Sequence, residues 1–215
     1  MTYNVVISSY KYGHLAAHCI ESVLCQNKQF DEVWFVDDAG GDCFHLNYLY
    51  GDRVNFVHRT ENLGTVDNFQ DMLNRIDSDY VMFLGADNWL RSDALEKLSS
   101  LCDSKGKVIT YDIMVTGELR DEIYIPYKDD CYLKEGDICW KRENKHHGSM
   151  LYDVELAKTV GGYSHNGGKR SDEDLNLWDK LVNAGVSVSY LPEALLYYRR
   201  HKQNFNKYGY GGSKD

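Results

Sequence analysis

Residues 3–26 read YNVVISSYKYGHLAAHCIESVLCQ, and this stretch decides the fold. Tyr3–Ser9 is a short apolar run of the length of a strand buried on both faces. His14–Gln26 then sets Leu15, Cys19, Ile20, Val23 and Leu24 at helical spacing, which predicts a helix with one apolar stripe. The turn between them reads Ser8-Ser9-Tyr10-Lys11-Tyr12-Gly13. It carries neither the GxGxxG fingerprint nor a Walker lysine, so no glycine cradle holds an anion there.

The same alternation continues outward. Strands are expected at Glu32–Val36, Arg53–His58 and Tyr80–Leu84, and helices at Cys43–Tyr50, Val66–Ile76 and Ser92–Cys102. Ser92 stands as N-cap of the last helix, with Asp93 in its first turn. Short apolar strands alternating with helices predict an α/β domain with a mainly parallel, twisted sheet and helices on both faces. Ligands of such sheets sit at the carboxyl ends of the strands. Ser8-Ser9-Tyr10, Asp37-Asp38, Arg59 and Gly85-Ala86-Asp87 are therefore expected to face one crevice.

Beyond residue 102 the pattern changes. Lys107–Val115 and Leu119–Tyr127 read as a hairpin or sheet extension, and Asp129–Lys145 as a loop-rich lobe. Helices are expected at Asp153–Val160 and Asp172–Asn183, and strands at Val186–Leu191 and Ala194–Tyr198. The division expected is one domain over 1–207, with a nucleotide-binding half (1–102), an acceptor-binding half (103–207) and a tail at 208–215.

Composition narrows the classes. The 215 residues hold 24 Lys and Arg against 33 Asp and Glu, a net charge of −9 that argues against nucleic acid as a partner. The longest apolar run, Tyr80–Leu84, is far short of the roughly 20 residues of a membrane span. The N-terminus shows no basic segment of the secretory kind. Six cysteines without CxxC or zinc-site spacing read as reduced core or near-core thiols, which predicts a reducing, cytoplasmic setting.

Several constellations carry candidate chemistry. Asp37-Asp38 can accept hydrogen bonds from a base or ribose, or be an ordinary solvated turn. Asp87 after the fourth strand is a natural ligand for Mg²⁺ or Mn²⁺, or an Asx-type cap. Ser171-Asp172-Glu173-Asp174 opens a helix, where three carboxylates suit the helix dipole; one of them aimed into a site is a general base. Arg199, Arg200 and His201 offer guanidinium groups for a diphosphate and an imidazole for a metal, or form a basic strand end. His146-His147 is a weaker signal. Trp89, Trp140 and Trp178 are the aromatics to weigh for stacking on a sugar, with core packing favoured for Trp178.

Taken in order, these segments resemble the inverting family-2 glycosyltransferases of the GT-A fold. VVISSYKYGHLAAHCIESVLCQ is similar to the family opening, EVWFVDDAG to its strand with paired aspartates, and ENLGTVDNF to its Asn-x-Gly segment. YVMFLGADNWLRSDAL resembles its metal-binding strand end, VGGYS with SDEDLNLW its glycine turn and acidic helix, and ALLYYRRH its closing strand. The resemblance implies a mixed acceptor-side lobe, a nucleotide-sugar donor, a glycan or glycoprotein acceptor, and Mn²⁺ or Mg²⁺ as cofactor. It implies Asp174 as catalytic base, with Asp87 and His201 as metal ligands. Ser8, Tyr10, Asp37, Asp38, Asn62, Gly64, Ala86, Arg199 and Arg200 fall on the nucleotide side, and Trp89, His147 and Glu173 on the acceptor side. Two departures stand out. Gly85 replaces the first aspartate of the metal motif, and Asp67-Asn68-Phe69 stands where the family commonly has an arginine.

More narrowly, the chain resembles the N-terminal glycosyltransferase domain of large multidomain glycosyltransferases of chlorella viruses. That implies a longer chain in the host cytoplasm, glycans of a capsid protein as acceptor, and a UDP-sugar such as UDP-L-rhamnose as donor. Two rivals are a nucleotidyltransferase, which would want a basic glycine-rich loop after the first strand, and a degenerate module that binds nucleotide or glycan without catalysis.

Overall fold

The computed structural model describes residues 1–102, 107–116, 123–125, 148–165, 173–199 and 201, without the side chains of 115, 123–125 and 173–175. The N-terminal half runs β1 (Tyr3–Ser9), α1 (Gly13–Leu24), β2 (Glu32–Asp37), α2 (Phe44–Tyr50), β3 (Asn55–His58), α3 (Gly64–Arg75), β4 (Tyr80–Gly85), β5 (Trp89–Leu90) and α4 (Ala94–Ser99). The second half adds β6 (Lys107–Thr116), β7 (Ile123–Ile125), β8 (Leu151–Asp153), α5 (Val154–Thr159), α6 (Glu173–Asn183) and β9 (Ser187–Arg199). The sheet order is β3-β2-β1-β4-β8-β6-β9-β5, with β7 beside β6.

Strand β1 shows why the sheet lies inside. Val5, Val6 and Ile7 are all 0% exposed, so both faces of the strand are covered. Val5 and Ile7 join the cluster formed by Cys19, Ile20 and Val23 of α1 and Leu95 and Leu98 of α4. Val6 faces the other way, among Met72 and Leu73 of α3, Ala157 of α5, and Leu177, Trp178 and Leu181 of α6. Each such side chain contributes about 1.5–3 kcal/mol on burial. Trp178 is core packing, as expected.

The sheet is parallel where strand and helix alternate: β1 pairs with β2 and β4, and β2 with β3, all parallel. Past β4 it becomes mixed, because β8 runs antiparallel to both β4 and β6 while β6 and β9 run parallel. The hairpin expectation holds, with β7 antiparallel to β6.

Four local expectations are corrected. The helix expected over Ser92–Cys102 is only Ala94–Ser99, and no side chain caps it. Asp93 is drawn instead to Arg91 and Lys97, and Glu193 joins the same two cations. The two late strands are one, β9, running straight through Pro192. The register passes from Tyr111↔Leu191 to Asp112↔Ala194, so Pro192 and Glu193 bulge out and the proline's missing N–H breaks no ladder bond. Cys25 is exposed, while Cys19, Cys43 and Cys102 are buried as expected; Cys131 and Cys139 lie outside the described residues. Strands β5 and β8, two and three residues long, are additional to those expected.

Candidate functional site

Parallel pairing sets the candidate residues side by side. Ser9 is level with Asp37, Asp37 with His58, and Ser8 with Gly85. The strand-end residues of β1, β2, β3 and β4 therefore share one edge of the sheet, as the topology predicts.

At the β2 corner both aspartates are buried, and backbone amides hold them. Asp37 Oδ1 accepts from Gly40 N at 2.8 Å and Oδ2 from Gly41 N at 3.2 Å. This folds the chain back on itself through the left-handed φ of Ala39 (62°) and Gly41 (74°). Asp38 reaches across to the start of α3, accepting from Leu63 N and Gly64 N at 3.0 Å each. Asn62 Oδ1 shares the Gly64 amide at 2.9 Å. Gly64 adopts φ +76°, a conformation that side chains rarely take. Asp38, Asn62 and Gly64 are thus one joint between β2 and α3. Asp38→Ala leaves the Leu63 amide without its acceptor and the Gly64 amide with Asn62 Oδ1 alone, and is expected to cost about 1–3 kcal/mol, measured by urea unfolding without nucleotide.

A partly buried chain of polar contacts backs this joint. Arg59 donates from Nε to Asn68 Oδ1 at 2.7 Å and from Nη2 to Asp71 Oδ2 at 2.7 Å, and its Nε lies 3.7 Å from Asp38 Oδ1. Asn68 donates on to Ser8 Oγ at 3.1 Å. Burial alone would raise the Asp71 carboxyl, but hydrogen bonds and charge from Arg59 and Arg75 outweigh it and hold it below its ordinary value. Sequence reasoning placed Arg59 only as a strand-end residue and did not single out Asn68 or Asp71. The available signal was Asn68 falling on the apolar face of α3, where a polar residue needs a partner. Tyr10, 44% exposed, projects beyond β1 with Lys11 Nζ 5.0 Å from its ring centroid.

The β4 corner is built differently. Asp87 and His201 are both buried, at 7% and 2% exposure, with Asp87 Oδ2 3.2 Å from His201 Nε2. Arg199 ties β9 to this turn: its backbone N donates to Asn88 Oδ1 at 2.9 Å and its Nε to the Asp87 carbonyl at 2.8 Å. Its Nη2 meets His18 Nδ1 at 2.9 Å, and its guanidinium lies 4.7 Å from the Trp89 ring centroid. Trp89 is stacked with His18 at 4.6 Å and with Tyr197 at 5.2 Å. Burial first, and the Arg199 charge second, push the His18 imidazole below its ordinary pKa. Ala86 sits beneath this corner, fully buried, with its amide donated to Ser8 O at 2.9 Å.

The acidic helix α6 is moored by its middle. Lys180 Nζ donates to Gly162 O at 2.8 Å and Ser164 Oγ at 2.7 Å, and Ser164 Oγ donates to Asn176 Oδ1 at 3.0 Å. Gln70 of α3 accepts from Tyr163 N at 2.7 Å. Burial lowers the Lys180 ammonium from its ordinary value. Glu173 and Asp174 form the first turn of α6. Arg200, Trp140, His146 and His147 lie outside the described residues.

Two groups of ligand-type side chains stand at the strand ends. Asp37, Asp42 and Cys43 bring three ligand atoms within 4.8 Å of one another. Their chemistry does not fit a divalent cation. The Cys43 thiol, pushed up to about 12 chiefly by burial, donates to Asp42 Oδ1 at 3.2 Å, while Asp42 Oδ2 accepts from Gly13 N at 2.9 Å. Asp87 and His201 offer one carboxylate oxygen and one imidazole nitrogen, a set that suits Mn²⁺ or Mg²⁺ completed by ligand oxygens. A second acidic side chain at Gly85 would have to move that carboxylate, since a Cβ there would stand 2.8 Å from Asp87 Oδ1.

Among the described residues no helix is long and apolar enough to cross a membrane. The fold resembles that of S. aureus TarS 1–349 in its complexes with UDP (TM-score 0.73, 17% identity) and with UDP-GlcNAc (TM-score 0.74, 16% identity). These likenesses cover 96% and 95% of this chain but only 63% and 60% of the TarS chains. The sequence is 24% identical to the putative glycosyltransferase EpsE of Bacillus subtilis (strain 168), over 99% of this chain and 78% of that protein. It is 25% identical to an uncharacterized glycosyltransferase of Haemophilus influenzae, over 93% of this chain and 76% of the relative. The model of glycosyl transferase family 2 matches residues 4–161, which take in the parallel strands β1–β4, the Asp37–Asp38 corner and Asp87 but not Arg199 or His201, and the chain therefore belongs to that family.

Proposed function

We propose that this family-2 glycosyltransferase moves a sugar from a UDP-sugar to a hydroxyl of a glycan or glycoprotein acceptor, with inversion and with Asp174 as general base. One observation carries the reading: the Asp37–Asp38 corner and the Asp87–His201 corner lie on the same sheet edge, two strands apart. The nucleoside lies over the first corner, where Ser8, Tyr10, Asn62 and Gly64 also stand. The sugar diphosphate extends to the second. The TarS structures with UDP and UDP-GlcNAc support this choice of nucleotide.

Asp87 and His201 would hold the Mn²⁺ or Mg²⁺. When bound, the metal offsets negative charge on the leaving diphosphate. Asp174 takes the proton from the acceptor hydroxyl as its oxygen attacks the anomeric carbon and the bond to the diphosphate breaks. Arg200, His147 and Glu173 are assigned by the sequence to the diphosphate and acceptor sides. Arg199 and Trp89, engaged with Asp87, His18 and Tyr197, shape the strand end between them.

The narrower reading is UDP-L-rhamnose as donor and the N-terminal position in a longer viral multidomain enzyme of the host cytoplasm. It rests on sequence resemblance, as does the division at residues 102 and 207. Gly85 favours a second reading, a module that binds nucleotide without turnover.

Thermal unfolding with UDP, GDP, dTDP and CMP, each with and without Mn²⁺, tests the proposal. UDP at about 100 times its dissociation constant adds about 2.7 kcal/mol, a shift of roughly 5–10 °C at this size. A shift with UDP alone, enlarged by Mn²⁺, is the expected result; no shift with any nucleotide overturns it. UDP binding without transfer across an acceptor panel selects the second reading.

A further inference from the structure

His58 closes β3, level with Asp37 on the neighbouring strand. Its ring is stacked with Phe44 of α2, 4.5 Å away at 24°, and with Phe56, 5.8 Å away at 10°. Both ring nitrogens are buried, and among the described residues neither has a hydrogen-bond partner. Asp37 Oδ2 lies 3.7 Å from Nδ1, just beyond hydrogen-bond length.

An unsatisfied imidazole stacked with two phenyl rings is an expensive choice. A phenylalanine would fill the same slot without the cost of a buried, unpaired nitrogen. The geometry supplies one candidate reason for the histidine. Among the described residues Asp37 Oδ2 accepts from the Gly41 amide at 3.2 Å, whereas Oδ1 has the shorter bond from Gly40 at 2.8 Å. A small rotation of the carboxylate brings Oδ2 within reach of Nδ1–H.

We propose that His58 is a positioning residue for nucleobase recognition: Nδ1–H donates to Asp37 Oδ2 when Asp37 engages the base, fixing that carboxylate as an acceptor. This rests on the reading that Asp37 meets the base of the donor nucleotide. A fixed anionic acceptor matches the imide N–H of uracil. It mismatches cytosine, whose ring nitrogen at that place is itself an acceptor. His58 thereby contributes to the choice between UDP and CDP without touching either.

The test is calorimetric titration of UDP and CDP into the wild type, His58→Phe and His58→Gln, with a melting curve for each. The phenylalanine variant is expected to bind UDP about tenfold or more weakly, the scale of a lost hydrogen bond to a charged group. Its preference for UDP over CDP should narrow by a similar factor, and its melting temperature should be equal or higher. The glutamine variant, which keeps an N–H donor, should recover most of the affinity. UDP affinity within twofold of wild type in His58→Phe overturns the proposal. So does an equal loss in both variants, which marks a space-filling role. His58→Leu replaces the phenylalanine variant if that one does not fold. If the wild type takes no UDP, the donor reading fails first and this inference falls with it.

Discussion

Asp174→Asn is expected to leave UDP binding within about twofold of wild type while turnover falls by roughly 10²–10⁴, the usual scale for a general base. The substitution keeps size and shape and removes the capacity to take a proton. Donor binding should survive because the residues proposed for it stand at the ends of β1, β2, β4 and β9 and the start of α3, whereas Asp174 stands in the first turn of α6. The helix itself should hold, since Lys180, Asn176 and Ser164 moor its body to the glycine turn. Asp172→Asn and Glu173→Gln are the discriminating controls. By sequence three carboxylates at a helix start suit its dipole, so a purely capping role predicts similar, small losses of stability in each and no selective loss of turnover. A normal rate in Asp174→Asn, with the loss appearing in one of its neighbours, moves the base assignment to that neighbour. A normal rate in all three removes the acidic helix from the chemistry.

How far the fold is legible in the sequence follows from which contacts define each element. Strand β1 and helix α1 can be read because their apolar spacing is a local signal, and burial on both faces leaves one solution. Strands β5 and β8 cannot. At two and three residues they have no periodicity, and they are strands only because β9 and β4 lie beside them. The bulge at Pro192 is a related case, because a proline reads as a strand end unless the partner's register is known. The paired aspartates and Asp87 stand out as carboxylates following apolar strands. Their partners do not stand out. Arg59, Asn68 and Asp71 meet only when β3 and α3 pack, and His58 acquires its character from two phenyl rings, one of them on another element. Arg199 illustrates the same limit. By residue type it belongs to a diphosphate, yet its guanidinium lies against Asp87 O, His18 and Trp89.

Asp87→Ala is expected to abolish the effect of Mn²⁺ on UDP affinity: about tenfold or more tightening in the wild type, less than twofold in the variant, by calorimetric titration with and without metal. The size follows from the donor set, in which one carboxylate oxygen and one imidazole nitrogen are what the described residues offer at that corner. Loss of the carboxylate leaves His201 alone, too little for a hard cation that prefers oxygen ligands. Asp87→Asn separates charge from shape, since it keeps an oxygen in place without its charge. An unchanged metal titration in both variants removes Asp87 from the metal site. Gly85→Asp provides the opposite test. By sequence alone it restores an acidic residue to the metal motif and should strengthen binding. The structure says otherwise. A Cβ at Gly85 would stand 2.8 Å from Asp87 Oδ1 and 3.0 Å from Asn88 Nδ2, so the new side chain must displace the carboxylate already facing His201. Asn88 also accepts the Arg199 amide, so the disturbance reaches the strand that carries His201. Gly85→Asp is therefore expected to weaken Mn²⁺-dependent UDP binding by about tenfold and to lower the melting temperature. Tighter metal binding in that variant would mean that the corner accepts two carboxylates, and that the glycine is a plain loss rather than the condition for the Asp87–His201 pair.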